Sequence, residues 1–134
     1  MSKLFPLEER IEEYAGLKPE QRRAAEQRGC NLVVTAGAGC GKTRTLVARY
    51  LSLLSEGKSP ARVVAITFTE KAAREMRNRI RDSLSKLVAA SGTAAERSFW
   101  LTQESQIDAA RIGTIHSLCA EILRNHPAEA VVDP

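Results

Sequence analysis

The stretch AGAGCGKT, residues 36–43, fits the pattern of a loop that binds nucleotide phosphates, with Ala36 in place of its first glycine. Glycines let the backbone curl so that successive N–H groups point at phosphate oxygens. Lys42 is expected to reach the β- and γ-phosphates, and the Thr43 hydroxyl to hold Mg²⁺. The predicted nucleotide site comprises Ala36, Gly37, Ala38, Gly39, Cys40, Gly41, Lys42 and Thr43, of which Lys42 and Thr43 would serve the chemistry.

The surroundings of this loop alternate between strand and helix patterns. Short apolar runs at 32–34, 63–66 and 110–113 predict strands, and the first two read as buried on both faces. Helical spacing follows each run, at 46–54, 72–87 and 114–125, with Gly57 and Pro60 ending the first helix and Pro127 the last. This order is typical of an α/β fold with a parallel sheet, whose strand carboxyl ends form the ligand-binding edge.

Two further helices are predicted before the loop. Leu7, Ile11 and Tyr14 share one helical face, and Gly16 ends that helix. Pro19 can begin a second helix that runs toward Gly29. Residues 91–98 read as a linker.

Composition narrows the class of protein. Lys and Arg number 20 against 16 Asp and Glu, so the net charge of +4 permits a polyanionic partner. No apolar run is long enough for a membrane span or a signal peptide, so we expect no membrane association. The scattered Cys30, Cys40 and Cys119 favour a reducing, cytoplasmic location over a disulfide framework.

Three further segments narrow the function. LKPEQRRAAE lies at 17–26, AITFTEKAAREM at 65–76 and RIGTIHSLCAEILR at 111–124. With the phosphate loop, and in this order, they resemble the UvrD/Rep family of superfamily-one DNA helicases. TIHSLC and the closing HPAEAVVDP look more like the RecB/AddA branch. The resemblance covers Leu17 to Pro134, and it implies a RecA-like fold and ATP as the nucleotide.

The resemblance assigns roles to individual residues. Gln21 matches the family glutamine whose amide reads the adenine edge, a task that needs both a donor and an acceptor. Arg44 is similar to a family arginine near the nucleotide, or it is a surface cation. The segments that touch single-stranded DNA in the family, motifs Ia and Ib, are matched here by Thr67, Phe68, Thr69, Thr114 and His116.

Plainer interpretations stand beside several of these roles. Phe68 could pack in the core, and a lone histidine such as His116 is more often structural. Cys40 could be a reactive thiol at a helix N-terminus, or simply a small residue in the loop. The six cations of the predicted helix, Lys71, Arg74, Arg77, Arg79, Arg81 and Lys86, form a solvated face, a phosphate track or an inter-domain contact. His116 and Cys119 lie at i, i+3 without a second pair, so we expect no zinc site.

The acidic residues that ATP hydrolysis requires beside a phosphate loop are not found at the ends of the predicted strands. No apolar strand ends in Asp-Glu; Glu8 and Glu9 belong to the first predicted helix, and Asp133 to the chain end. We therefore expect residues 1–134 to be the N-terminal part of a RecA-like helicase domain, truncated after motif Ib. The parent protein would translocate 3′ to 5′ on single-stranded DNA and unwind duplex junctions, with a recombination or repair nuclease as a possible partner.

Two other functions remain open. The chain could be a remnant that binds ATP or DNA without hydrolysis. The lack of a strand that ends in an Mg²⁺-binding Asp-Glu favours this function for the isolated chain. A small-molecule kinase would retain the phosphate loop but leave TFTEKAAREM and GTIHSLC unexplained. DNA-stimulated ATPase activity separates the helicase from both.

Overall fold

A computed structural model describes residues 4–7 and 10–131. The predictions for Glu8, Glu9 and Asp133 lie outside the described residues. In the described ranges, no helix is long and apolar enough to cross a membrane. The helices are α1 (Glu12–Ala15), α2 (Pro19–Glu26), α3 (Lys42–Ser55), α4 (Glu70–Ala89), α5 (Ala94–Ser105), α6 (Ile115–Asn125) and α7 (Pro127–Ala130). The strands are β1 (Val64–Thr67) and β2 (Arg111–Thr114).

β1 and β2 pair in parallel, with Val64 opposite Arg111 and Thr67 opposite Thr114. The chain between them, through α4 and α5, is the long connection that a parallel pair requires. The second and third predicted strands are thereby confirmed, each displaced by one residue. Helices with a small parallel sheet are compatible with the expected α/β class. Both strands end at the same edge, which places the segments after Thr67 and Thr114 side by side.

The first predicted strand is wrong in the part of the chain that the structure describes. Residues 31–37 form no ladder, and Val33 is 87% exposed. A strand is held by hydrogen bonds to a neighbouring strand, and neither β1 nor β2 pairs with this segment. The predicted burial of the second strand is also wrong, because Val64 and Ile66 are each about half exposed.

The core lies between α1, α3, α4 and α5. The face of α4 predicted to be apolar is confirmed, with Ala73, Met76, Ile80, Leu84 and Leu87 buried; Ala72 is only half-buried. Trp100 of α5 is fully buried in this core and meets the Phe99 ring edge-on, with 4.8 Å between the ring centroids. Burial raises the pKa of the Tyr50 hydroxyl to about 12, against the opposing effect of the Arg77 guanidinium.

The predicted linker at 91–98 is wrong, because α5 begins inside it. Thr93 is the N-cap, and its hydroxyl accepts the Glu96 N–H at 3.2 Å. The buried Glu96 carboxylate accepts the Gly92 N–H at 3.0 Å and pairs with Arg10 at 2.6 Å. The Thr-x-x-Glu spacing is a helix-start signal that could have located α5 from the sequence.

Replacement of the α5 cap should destabilise the protein measurably. Thr93→Ala is expected to lower the free energy of unfolding by about 1 kcal/mol, because the Glu96 N–H loses its acceptor. Urea unfolding followed by circular dichroism measures the change. Thr102→Ala is the matched control, because Thr102 lies inside the same helix and its hydroxyl donates to the Ser98 carbonyl and caps no helix end. Equal losses for the two variants would contradict the capping role.

Candidate functional site

The phosphate loop has the backbone that its glycines predict. Gly39 (φ +75°) and Gly41 (φ +83°) adopt left-handed conformations that side chains disfavour. Gly41 is the N-cap of α3 and provides no side-chain oxygen, so the first-turn amides of α3 are free for a ligand. Lys42 reaches back over the loop, and its Nζ donates to the Ala36 carbonyl at 3.1 Å. The loop is therefore shaped to receive an anion at the start of α3.

Two clefts open on either side of this loop. The larger, about 760 Å³, is lined by the cations Lys18, Lys42 and Arg49, and Glu20 is the one carboxylate among its described lining residues. The smaller, about 550 Å³, brings Arg44 and Arg79 to Lys42 and Thr43. Both clefts carry an excess of positive charge. That excess suits a polyphosphate. Thr43, whose hydroxyl is an oxygen donor at the loop, stays the candidate Mg²⁺ ligand.

Gln21 lies directly against the loop. Its Nε2 donates to the Cys40 carbonyl at 2.8 Å, and its Oε1 accepts the Lys18 N–H at 2.9 Å. A Cβ on Gly41 would lie 2.7 Å from the same Nε2. The structure thus brings Gln21 to the larger cleft beside the loop, with both ends of its amide bonded within the chain. Its role in reading adenine stays a prediction.

Arg44 and Cys40 have simpler surroundings. The Arg44 guanidinium extends toward α1 and donates to the Gly16 carbonyl at 3.5 Å. Cys40 is exposed in the loop, and its thiol donates to the Gly37 carbonyl. Cys30 and Cys119 are also free and exposed, and the described residues contain no group of three or more metal-ligating side chains. A reactive role for Cys40 stays a prediction.

The two segments matched to DNA contacts meet at the carboxyl edge of the sheet. Thr67 pairs with Thr114 in register, so the turn after β1 lies beside the start of α6. The Phe68 ring is fully exposed, which excludes its packing in the described core. Thr67 donates to the Thr69 carbonyl at 3.0 Å, and the Thr69 hydroxyl caps α4.

Thr114 and His116 differ in what they present to solvent. The Thr114 side chain is buried, with 7% exposed, and serves as the N-cap of α6. Its hydroxyl accepts the Ser117 N–H at 3.3 Å and donates to the Glu70 carboxylate at 3.0 Å. His116 is exposed in the first turn of α6, beside the same edge. Contact with DNA stays a prediction for all five matched residues.

Most cations of α4 are engaged within the protein. Arg77 donates to the Ile112 carbonyl at 2.7 Å, and the other bonded cations pair with carboxylates: Arg79 with Glu75, Arg81 with Asp108, and Lys86 with Glu13. Among the described residues, Lys71 and Arg74 have no such partner, and both are exposed in the turns that follow Phe68. Free positive charge on α4 is therefore concentrated beside the sheet edge.

Sequence reasoning missed two residues near these surfaces. Arg79 lines the smaller cleft at the phosphate loop, and Glu70 bonds Thr114 across the sheet edge. Both contacts depend on tertiary packing, because Arg79 reaches the phosphate loop and Glu70 reaches the end of β2 from different sides of α4. For Glu70, an acidic residue directly after a capping threonine was the available signal.

The comparisons with known proteins agree on one family. Residues 17–133 match the model of the UvrD/REP helicase N-terminal domain. The A subunit of the ATP-dependent helicase/nuclease from Ligilactobacillus salivarius is 38% identical over 116 residues, which cover 87% of this chain and 9% of the relative. The same protein from Limosilactobacillus reuteri is 39% identical over 123 residues, covering 90% and 9%. That from Clostridium perfringens is 39% identical over 120 residues, covering 86% and 9%.

The contact between Gln21 and Gly41 can be tested by adding one methyl group. Gly41→Ala should lower the free energy of unfolding by about 1–2 kcal/mol, because an L-residue is strained in the left-handed conformation. The clash with Gln21 Nε2 adds to that loss. Thermal and urea unfolding measure the effect.

Gly37→Ala is the control, because a Cβ there meets nothing within 4 Å. Combining Gly41→Ala with Gln21→Ala should remove the clash but not the backbone strain. A double variant with the full sum of both losses would show that the two residues do not interact.

Proposed function

The chain belongs to the UvrD/REP helicase family, in the branch of the helicase/nuclease A subunits, and we propose that it is the ATP- and DNA-binding N-terminal part of a DNA helicase. The matched segment spans about 9% of the length of its curated relatives. Activity of the whole protein is therefore part of the proposal. The supporting observation is the phosphate loop at the start of α3, bordered by cation-lined clefts.

ATP would bind with its phosphates in the loop. Backbone amides of residues 37–43 would hold the phosphate oxygens, and Lys42 would move from the Ala36 carbonyl to the terminal phosphates. Mg²⁺ bound to those phosphates would be held by the Thr43 hydroxyl and would offset their developing charge. Ala36, Gly37, Ala38, Gly39, Cys40 and Gly41 contribute backbone and small side chains that leave space for the phosphates.

Gln21 and Arg44 would border the bound nucleotide. We propose that Gln21 exchanges its bond to Cys40 for the adenine edge when ATP enters the larger cleft. An amide provides the donor and the acceptor that this edge requires. Arg44, in the smaller cleft with Thr43, would add a charge close to the phosphates.

Single-stranded DNA would lie along the carboxyl edge of the sheet. The exposed Phe68 ring offers a face on which a base can stack. Its neighbours Thr67 and Thr69, and His116 two residues after the paired Thr114, offer polar groups for the DNA backbone. Lys71 and Arg74, which have no ion pair with the described residues, would attract phosphates to this edge. Thr114, being buried, would act by holding the start of α6 in place.

In the whole protein, these two surfaces would belong to one motor. Residues 1–134 would be the first part of a RecA-like domain, and ATP turnover would drive 3′-to-5′ movement along DNA toward duplex junctions. The curated relatives are named as one subunit of an ATP-dependent helicase/nuclease, which supports a second subunit as partner, in recombination or repair. Lys42 and Thr43 would then act in ATP hydrolysis, together with residues that supply a carboxylate and an arginine.

Removal of the loop lysine tests the nucleotide site. Lys42→Ala should abolish binding of a fluorescent ATP analogue to this chain and DNA-stimulated ATP turnover by the whole helicase, because the terminal phosphates lose their cation. Lys58→Ala, just after the end of α3 and outside both clefts, should leave both unchanged. Normal turnover by Lys42→Ala would reject the assignment. ATP binding without turnover in the unaltered whole protein would favour the non-hydrolysing remnant.

Removal of the Phe68 ring tests the DNA edge. Phe68→Ala should weaken binding of a labelled oligothymidylate about fivefold or more, because stacking contributes about 1–3 kcal/mol per base. Phe68→Trp retains an aromatic face and should preserve binding. Fluorescence anisotropy measures both affinities. If Phe68→Ala and Phe68→Trp bind DNA equally well, the ring does not stack on a base.

A further inference from the structure

One hydrogen bond connects the two segments that form the proposed DNA edge. The Thr114 hydroxyl, at the end of β2, donates to Glu70 Oε1, in the first residue of α4, at 3.0 Å. The two residues are 44 positions apart in the chain. Glu70 follows the Phe68–Thr69 turn directly, and Thr114 precedes His116 by two residues. The bond thus joins the turn that carries Phe68 to the helix start that carries His116.

The Thr114 side of this bond is held rigidly. Its hydroxyl also accepts the Ser117 N–H at 3.3 Å, and the Ser117 hydroxyl donates to the Thr114 carbonyl at 2.8 Å. The threonine is buried, so its rotamer is fixed by packing and by these bonds. The Glu70 carboxylate therefore meets a donor in a fixed position, which suits a residue that sets the spacing of two loops.

Apart from this hydrogen bond, the negative charge of Glu70 is unfavourable beside an edge proposed to bind DNA phosphates. A carboxylate beside a phosphate-binding edge repels DNA, and Glu70 makes no ion pair with described residues such as the neighbouring Lys71 or Arg74. An exposed carboxylate without a role should therefore weaken binding, and its removal should strengthen binding. A carboxylate that positions the edge should have the opposite effect when its acceptor is removed.

We propose that Glu70 is a positioning residue for single-stranded DNA: through Thr114 it fixes the distance between Phe68 and His116, so that one strand contacts both. This inference rests on the proposed DNA-binding function. Glu70 touches no nucleotide in this scheme, and it acts through its acceptor oxygen and not through its charge. That distinction separates it from a phosphate contact and from a surface carboxylate.

Three variants measured against a labelled oligothymidylate test the proposal. Glu70→Ala removes acceptor and charge and should weaken binding about fivefold, the expected effect of one lost hydrogen bond. Glu70→Gln keeps an acceptor for the Thr114 hydroxyl and removes the charge, so it should bind as tightly as the unaltered protein or more tightly. Thr114→Val should weaken binding, and adding Glu70→Ala to it should cause no further loss. Affinity for the fluorescent ATP analogue should stay unchanged in both Glu70 variants, which also confirms that they fold.

The results that would contradict the positioning role can be told apart from failure of the proposed DNA-binding function. Binding by Glu70→Ala that equals or exceeds that of the unaltered protein would overturn the inference, because only repulsion would then have been removed. Equal weakening by Glu70→Ala and Glu70→Gln would overturn it too, because the acceptor would not rescue binding. If the unaltered protein binds no oligothymidylate, the proposed DNA-binding function itself fails, and the positioning role fails with it.

Discussion

The parallel pairing of β1 with β2 determines which distant segments of this chain meet at the carboxyl edge of the sheet. Parallel strands must be joined by a crossover; here α4 and α5 form it in sequence, and α4 packs against both strands. The in-register match of Thr67 with Thr114 then brings two distant turns to one edge. A shift of the register by one residue would turn the side chains of one strand to the opposite face and separate Glu70 from Thr114.

The cleft proposed to bind the nucleotide depends on a different principle, since the groups expected to contact the phosphates are mostly backbone amides. Two left-handed glycines shape the loop, and the free amides of α3 supply the donors. Side chains add long-range charge through Lys18, Lys42 and Arg49. The proposed phosphate site and the proposed DNA edge thus differ: the first is formed mainly by backbone geometry, and the second by an exposed ring and two cations that have no ion pair among the described residues.

The sequence predicted local secondary structure better than it predicted which distant segments contact each other. Helical spacing and glycine or proline ends located α2, α3, α4 and α6, because these signals act within a few residues. The apolar run at 32–34 has strand composition, yet its pairing depends on distant chain, and none of the described residues provides it. Likewise, residues 91–98 have the composition of a linker, although Thr93 and Glu96 mark the start of α5 within them. At the site, the loop was predictable from its motif, whereas the bond from Glu70 to Thr114 is set by the crossover.

The missing ladder at residues 31–37 has a thermodynamic consequence for the loop that follows it. The described residues provide no backbone hydrogen bond to the amides of this segment, so fewer bonds hold its conformation than hold the paired strands. A nucleotide that fixes the loop must also order this segment. Its affinity would then equal the gain from the phosphate contacts minus that entropic cost, and any chain that pairs with residues 31–37 would strengthen nucleotide binding without touching the nucleotide.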